Sequence, residues 1–259
     1  MTNPLPVSVN AAAGIGRITL DRPEQMNAVN VELCVELERA ILTLGSDPAI
    51  KLILVRGAAG NFCAGGDFGE VERLRAQGPS ALRTLFTAFR RACDAIAAID
   101  VPVVAAVEGV AAAGGFELMQ ATDIVLVSDD ARISDNHIRF GMIPGGGSTQ
   151  RLPRLIGRQQ AMGVLLSGDR LSGVDAARLG LAYRSFPRDQ FDDAVELFVS
   201  TLAGRDRGAL MAIKQLVRSG LQKPLATGLD DETIAVVGHI SEGAGRNGAS
   251  AFSERGGTK

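Results

Sequence analysis

The feature that most constrains this chain is a change of rhythm along its length. Residues 16–20 (GRITL), 50–56 (IKLILVR), 103–107 (VVAAV), 123–127 and 131–134 are short and apolar or alternating, and read as strands. Between them lie helical patterns at 31–44, 70–77, 79–99 and 111–120. The first has Asn30 as a cap and places Leu33, Leu37, Ile41 and Leu44 on one face. After Pro144-Gly145-Gly146-Gly147 the pattern is mainly helical to the end. Strands alternating with helices, followed by helices alone, imply an α/β body with a C-terminal helical appendage. The boundary falls between Gly204 and Gly208. A chain of 259 residues suits one large domain with such an addition.

Composition narrows the function. Lys plus Arg is 27 and Asp plus Glu is 29, a formal net charge of -2, and no basic stripe interleaves with aromatics. Nucleic acid is therefore not an expected partner. Cys34, Cys63 and Cys93 are odd in number and far apart, so they read as reduced thiols and neither a disulfide framework nor a metal site is expected. No apolar run reaches the ~18 residues of a membrane helix, and the first residues lack the pattern of a signal peptide. The expectation is a cytoplasmic protein without a membrane partner.

Several familiar motifs fail. Gly14-Ile15-Gly16 precedes a strand instead of following one and lacks a third glycine, so it is not a dinucleotide fingerprint. Ser148 lacks the closing glycine of a nucleophile elbow. His137 and His239, the two histidines, are too distant in sequence for a local zinc motif.

Two glycine turns carry more. In RGAAGNFCAGGDF (56–68) a buried strand runs into Gly65-Gly66. In VEGVAAAGGFELMQATDI (107–124) Gly114-Gly115 opens a helix. Backbone N–H groups bared in such turns lack partners and favour negative charge. One from each turn, converging on a carbonyl oxygen, would make an oxyanion hole. Glu117 lies one helical turn beyond Gly114, flanked by Phe116, Leu118 and Met119. A carboxylate on a helix buried nearly all round needs a partner or a role.

These segments resemble the crotonase, or enoyl-CoA hydratase/isomerase, superfamily. NFCAGGDF, AAVEGVAAAGGFELMQATDIVLVSDDARIS and FGMIPGGGSTQRLPRLIG match its three signatures, with DRPEQMNAVN near the start and NGASAFSERGG near the end. The resemblance implies a spiral of ββα units over 1–204, holding the CoA and active sites, and a helical trimerisation region over 205–259. It implies trimers or dimers of trimers, an acyl-CoA thioester substrate, and chemistry without a metal or a separate cofactor, CoA being part of the substrate. Gly66 and Gly114 would supply the oxyanion N–H groups. Met26, Asn27 and Ala28, with Ala64, Gly65, Asp67 and Phe68, would bind CoA. The activity implied is enoyl-CoA hydration or isomerisation. Thioester hydrolysis, decarboxylation, C–C cleavage and simple acyl-CoA binding stand as alternatives.

Hydratases of this family carry two glutamates. Glu117 occupies the first position; seven residues before Pro144, where the second belongs, stands His137. Three readings follow: His137 acts as acid or base in its stead, redirects the chemistry, or packs without reacting. Asp135 or Asn136 could serve instead. Cys63 as nucleophile and Arg255 or Lys259 as CoA-phosphate contacts are weaker ideas. Arg39, Arg90 and Arg91 read as solvated charges, and His239 as facing solvent or an interface. The sequence alone predicts that His137→Glu raises hydration.

Overall fold

A computed structural model describes residues 5–242. Up to Gly204 the chain forms one compact unit. Its main sheet contains β1 (Val7–Ala12), β2 (Ile15–Leu20), β3 (Leu52–Gly57), β4 (Val103–Val107), β6 (Ile124–Ser128) and β8 (Arg184–Phe186) in that spatial order. The pair β1–β2 is antiparallel, and every later pairing is parallel. A second, two-stranded parallel sheet joins β5 (Val110–Ala112) to β7 (Arg132–Ser134).

The helices are α1 (Val31–Ser46), α2 (Phe68–Ala76), α3 (Pro79–Ala98), α4 (Gly114–Ala121), α5 (Ser148–Ser167), α6 (Gly173–Leu179) and α7 (Phe191–Ala203). α1 begins where Asn30 Oδ1 accepts the Leu33 N–H at 2.8 Å, and it buries Leu33, Leu37, Ile41 and Leu44, the face read from the sequence. Strand β4 is buried throughout, as a central parallel strand covered on both faces must be. On one face Leu52, Leu54, Val104, Ala106 and Leu126 pack with Phe191, Val195 and Val199 of α7.

Three differences from the sequence reading have local causes. β1 is an edge strand with only Val7 buried, so it lacks an apolar rhythm; Ala13 (φ 53°) and Gly14 (φ 79°) turn it into β2. The helix expected over 111–120 is split, because β5 occupies its first two residues and Ala113 (φ 46°, ψ -114°) bends the chain into α4. β8 interrupts the segment expected to be helical, at three residues too short to show a period.

From Arg205 a second unit begins. Here α8 (Arg207–Gly220) is capped by the Asp206 side chain, and α9 (Leu225–Ser241) leaves Leu225, Leu229, Ile234, Val236, Val237 and Ile240 exposed. His239 is half-buried, with Nε2 3.8 Å from Asp206 Oδ1. Arg255, Lys259 and the motif at 247–257 lie outside the described residues. No helix among the described residues is long and apolar enough to cross a membrane.

Candidate active site

The two glycine turns meet. Cys63 donates its N–H to the Val110 carbonyl and accepts from the Ala112 N–H, at 2.9 and 3.0 Å, so the first turn is laced to β5. Gly65 (φ 109°) faces Ala113, and a Cβ on Gly115 would collide with the Cys63 carbonyl. Those two glycines are demanded by the fold. Gly66 and Gly114 are not: a Cβ on either would meet nothing nearer than 3.6 Å. Both line one cavity of about 520 Å³, and neither donates its N–H to a backbone carbonyl among the described turns. The Gly66 nitrogen lies 3.6 Å from the point where a Gly114 Cβ would stand. Two amides without backbone acceptors thus flank the same space. Ala113 holds a left-handed backbone that costs a non-glycine residue about 1–3 kcal/mol; its N–H, bonded to the Ser134 carbonyl at 3.0 Å, helps hold it there.

Glu117 lies on α4, which is buried from Gly114 to Gln120. The side chain is 2% exposed. Its Oε1 accepts the N–H groups of Gly146 (2.7 Å) and Ser148 (3.1 Å) at the start of α5, where helix geometry leaves amides unpaired. The start of α5 is itself tied to α4, since Gln120 Nε2 donates to Ser148 Oγ at 2.9 Å. Burial pushes the Glu117 carboxyl above its ordinary value; the Ser148 N–H, the His137 charge and the Gly146 N–H only partly oppose it. Oε2 remains, 3.9 Å from His137 Nε2.

His137 opens a short 3-10 turn, His137–Phe140. Its Nδ1 lies 2.6 Å from Asp135 Oδ1, and the Asp135 side chain is 1% exposed. Burial disfavours a charged imidazole. The hydrogen bond and charge of Asp135, with the charge of Glu117, outweigh it and lift His137 above the ordinary histidine value. Asn136 lines the cavity, with Oδ1 buried and without a hydrogen-bond partner among the described residues. Asp135 does not line it, so it does not replace His137 but stands behind it.

Of the residues singled out from sequence, Glu117, His137, Gly66, Gly114, Ala64 and Phe68 line the cavity; Met26, Ala28, Gly65 and Asp67 do not. These four belong to the frame of the first turn. The Met26 carbonyl accepts the Ala64 N–H at 3.0 Å. Arg22 donates to the Ala28 carbonyl and pairs with Asp67 at 2.7 Å, while Asp67 also caps α2. Asn27 Nδ2 donates to the Ala58 and Asn61 carbonyls. Cys63 is buried and its thiol is pushed up to about 12, which makes it a packed group and a poor nucleophile. Arg39, Arg90 and Arg91 are exposed partners of Glu36, Asp94 and Glu38.

Sequence reading missed the amides of Gly146 and Ser148, although a glycine run before a helix is the usual sign of such donors. It also missed Asp135 as the partner of His137, for which two-residue spacing in a loop gives no signal.

The family described as Enoyl-CoA hydratase/isomerase matches residues 10–259. The chain is similar to the probable enoyl-CoA hydratase echA8 of Mycobacterium bovis, 33% identical over 216 residues, covering 83% of this chain and 82% of the relative. It is 31% identical over 241 residues to the mitochondrial enoyl-CoA hydratase of Pongo abelii, covering 93% and 81%. The crystal structure of enoyl-CoA hydratase from Bacillus anthracis superposes with a TM-score of 0.91 at 28% identity, over 96% of each chain.

Proposed function

The chain belongs to the enoyl-CoA hydratase/isomerase family and is an acyl-CoA-processing enzyme of the crotonase type; from that premise we propose that it hydrates or isomerises the double bond of an enoyl-CoA. The observation that carries this reading is the convergence, on one cavity, of two backbone amides without backbone acceptors, a buried carboxylate and an imidazole. Leu85, Phe86, Phe89 and Met142 make the rest of the lining mostly apolar, which suits an uncharged acyl group.

The thioester oxygen accepts from the N–H groups of Gly66 and Gly114. As the β-carbon is attacked, that oxygen becomes an enolate, and each donor aimed at it contributes about 3 kcal/mol in a water-poor site. Glu117 Oε2 and His137 Nε2, 3.9 Å apart, are too distant to bond each other and well placed to share one water. Glu117 takes a proton from that water as its oxygen bonds the β-carbon, and His137 Nε2–H gives one to the α-carbon. The proton on Glu117 then returns to His137, and the net change is addition of one water. For isomerisation the same two groups move a proton between α- and γ-carbons without water.

The test is to follow enoyl absorbance on mixing the protein with crotonyl-CoA and longer enoyl-CoAs. Steady turnover supports the reading; a stoichiometric complex without turnover identifies an acyl-CoA binder and defeats it. One observation favours a second reading: imidazole stands where the family resemblance places glutamate, which would suit another enolate reaction. Release of free CoA thiol or carbon dioxide would identify thioester hydrolysis, decarboxylation or C–C cleavage. We also propose a cytoplasmic homotrimer or dimer of trimers. The apolar residues exposed on α9 support self-association, and sedimentation of the purified protein tests it.

A further inference from the structure

We propose that Asp135 is a positioning residue for this site: its carboxylate fixes His137 as an Nδ1–H donor and so presents the Nε2–H edge to Glu117 and the cavity. The inference rests on the reading of His137 as a proton donor. With Asp135 as the carboxylate, its oxygens only accept hydrogen bonds, and the 2.6 Å contact is then a donation from Nδ1–H. The donor's second proton must then sit on Nε2, the nitrogen nearer Glu117.

Asp135 has little else to do. It is 1% exposed, its Oδ1 bonds His137, and its Oδ2 is buried without a partner among the described residues. A buried carboxylate with one oxygen unsatisfied is costly unless a neighbouring cation offsets it. The imidazole is that neighbour. His137, for its part, is 12% exposed and opens a single 3-10 turn followed by exposed Ile138 and Phe140, and the hydrogen bond from its ring goes to Asp135. The charged groups facing it are Asp135 from its own loop and Glu117 from α4. Beyond Glu117 stand the Cys93 thiol of α3 and the Arg151 guanidinium of α5, the latter bonded to the Gly146 carbonyl.

The test uses the full-length protein labelled with ¹⁵N-histidine. His239→Gln removes the second imidazole, leaving one ring to follow by NMR as pH is varied. The expected result is Nδ1 protonated throughout and Nε2 titrating above the range of a free imidazole. In Asp135→Asn that midpoint falls by about one pH unit or more. The alkaline limb of kcat/KM follows it down. kcat falls by about 10-fold, less than on removing the imidazole itself, while KM changes little. Asp135→Glu restores part of the midpoint. A wild-type ring with bare Nδ1 and its proton on Nε2, or a midpoint unmoved in Asp135→Asn, overturns the proposal. The NMR arm needs no turnover, so it stands apart from the question of which reaction is catalysed. If Asp135→Asn does not fold, the wild-type tautomer decides.

Discussion

Glu117 and His137 stand 3.9 Å apart but belong to differently built regions. Glu117 rides on α4, buried along almost its whole length, and is gripped by two backbone amides at the head of α5. His137 rides on a short turn with exposed neighbours, Ile143 among them at 82%, and is gripped by a single side chain. One group is held by the backbone of two packed helices, so few side-chain changes nearby can release it. The other depends on one carboxylate, so its chemistry can be retuned by a single substitution. A site built this way holds its carboxylate firmly while its imidazole is open to change.

The comparison can be tested at several strengths. The largest effect is expected for Glu117→Gln. Removing the base should lower kcat by about 10³-fold with acyl-CoA binding changed only a few-fold, measured by turnover and by calorimetric titration. His137→Gln should lower kcat by about 10²-fold; a loss equal to that of Glu117→Gln would erase the distinction between the two. His137→Glu, expected from sequence to raise hydration, now carries the opposite expectation: it would set a second carboxylate against Asp135, and like charges at that distance repel. An assay of that variant beside Asp135→Asn/His137→Glu sharpens the point, since relief should appear only in the double variant.

Glycines in the two regions should respond unequally. A Cβ on Gly146 would run into the Phe89 ring and stand 2.9 Å from Glu117 Oε2, so Gly146→Ala should cost about 1–3 kcal/mol of stability as well as activity. Gly141 has open space around it, and Gly141→Ala should cost only the left-handed backbone penalty, about 1 kcal/mol. Chemical denaturation of both variants checks this. The smallest effect is in pH dependence. His137 and Glu117 are both raised above their ordinary values. A raised folded value means stability is fully present below the unfolded one and is lost as pH rises through the folded one. Stability should therefore fall from the ordinary carboxylate range upward for Glu117, and from about neutrality upward for His137. Asp135→Asn should flatten the second segment of a denaturation-versus-pH curve.

Much of this was legible in the sequence because it rests on local rules. The cap at Asn30, the apolar face of α1, the buried strand β3 and the burial of Glu117 among Phe116, Leu118 and Met119 each follow from neighbours within a few positions. β1 and β8 were not legible, since an exposed edge and a three-residue strand carry no period. The residues assigned to CoA by resemblance divide between the wall of the cavity, where Ala64 and Phe68 stand, and its frame. Met26, Ala28, Gly65 and Asp67 belong to the frame of the first turn without lining the cavity, a distinction that spacing cannot draw.

By itself the sequence determined the α/β body with its helical end, the two glycine turns, the carboxylate at 117 and the imidazole at 137. These depend on residue type and short-range order, which a chain carries before it folds. Only the tertiary structure decided that amides 48 positions apart in the chain flank one cavity, that Gly146 and Ser148 hold Glu117, and that Asp135 holds His137. Which donor meets which acceptor depends on how α4, α5 and the intervening turn pack, and packing is a property of the assembled core, not of any one segment.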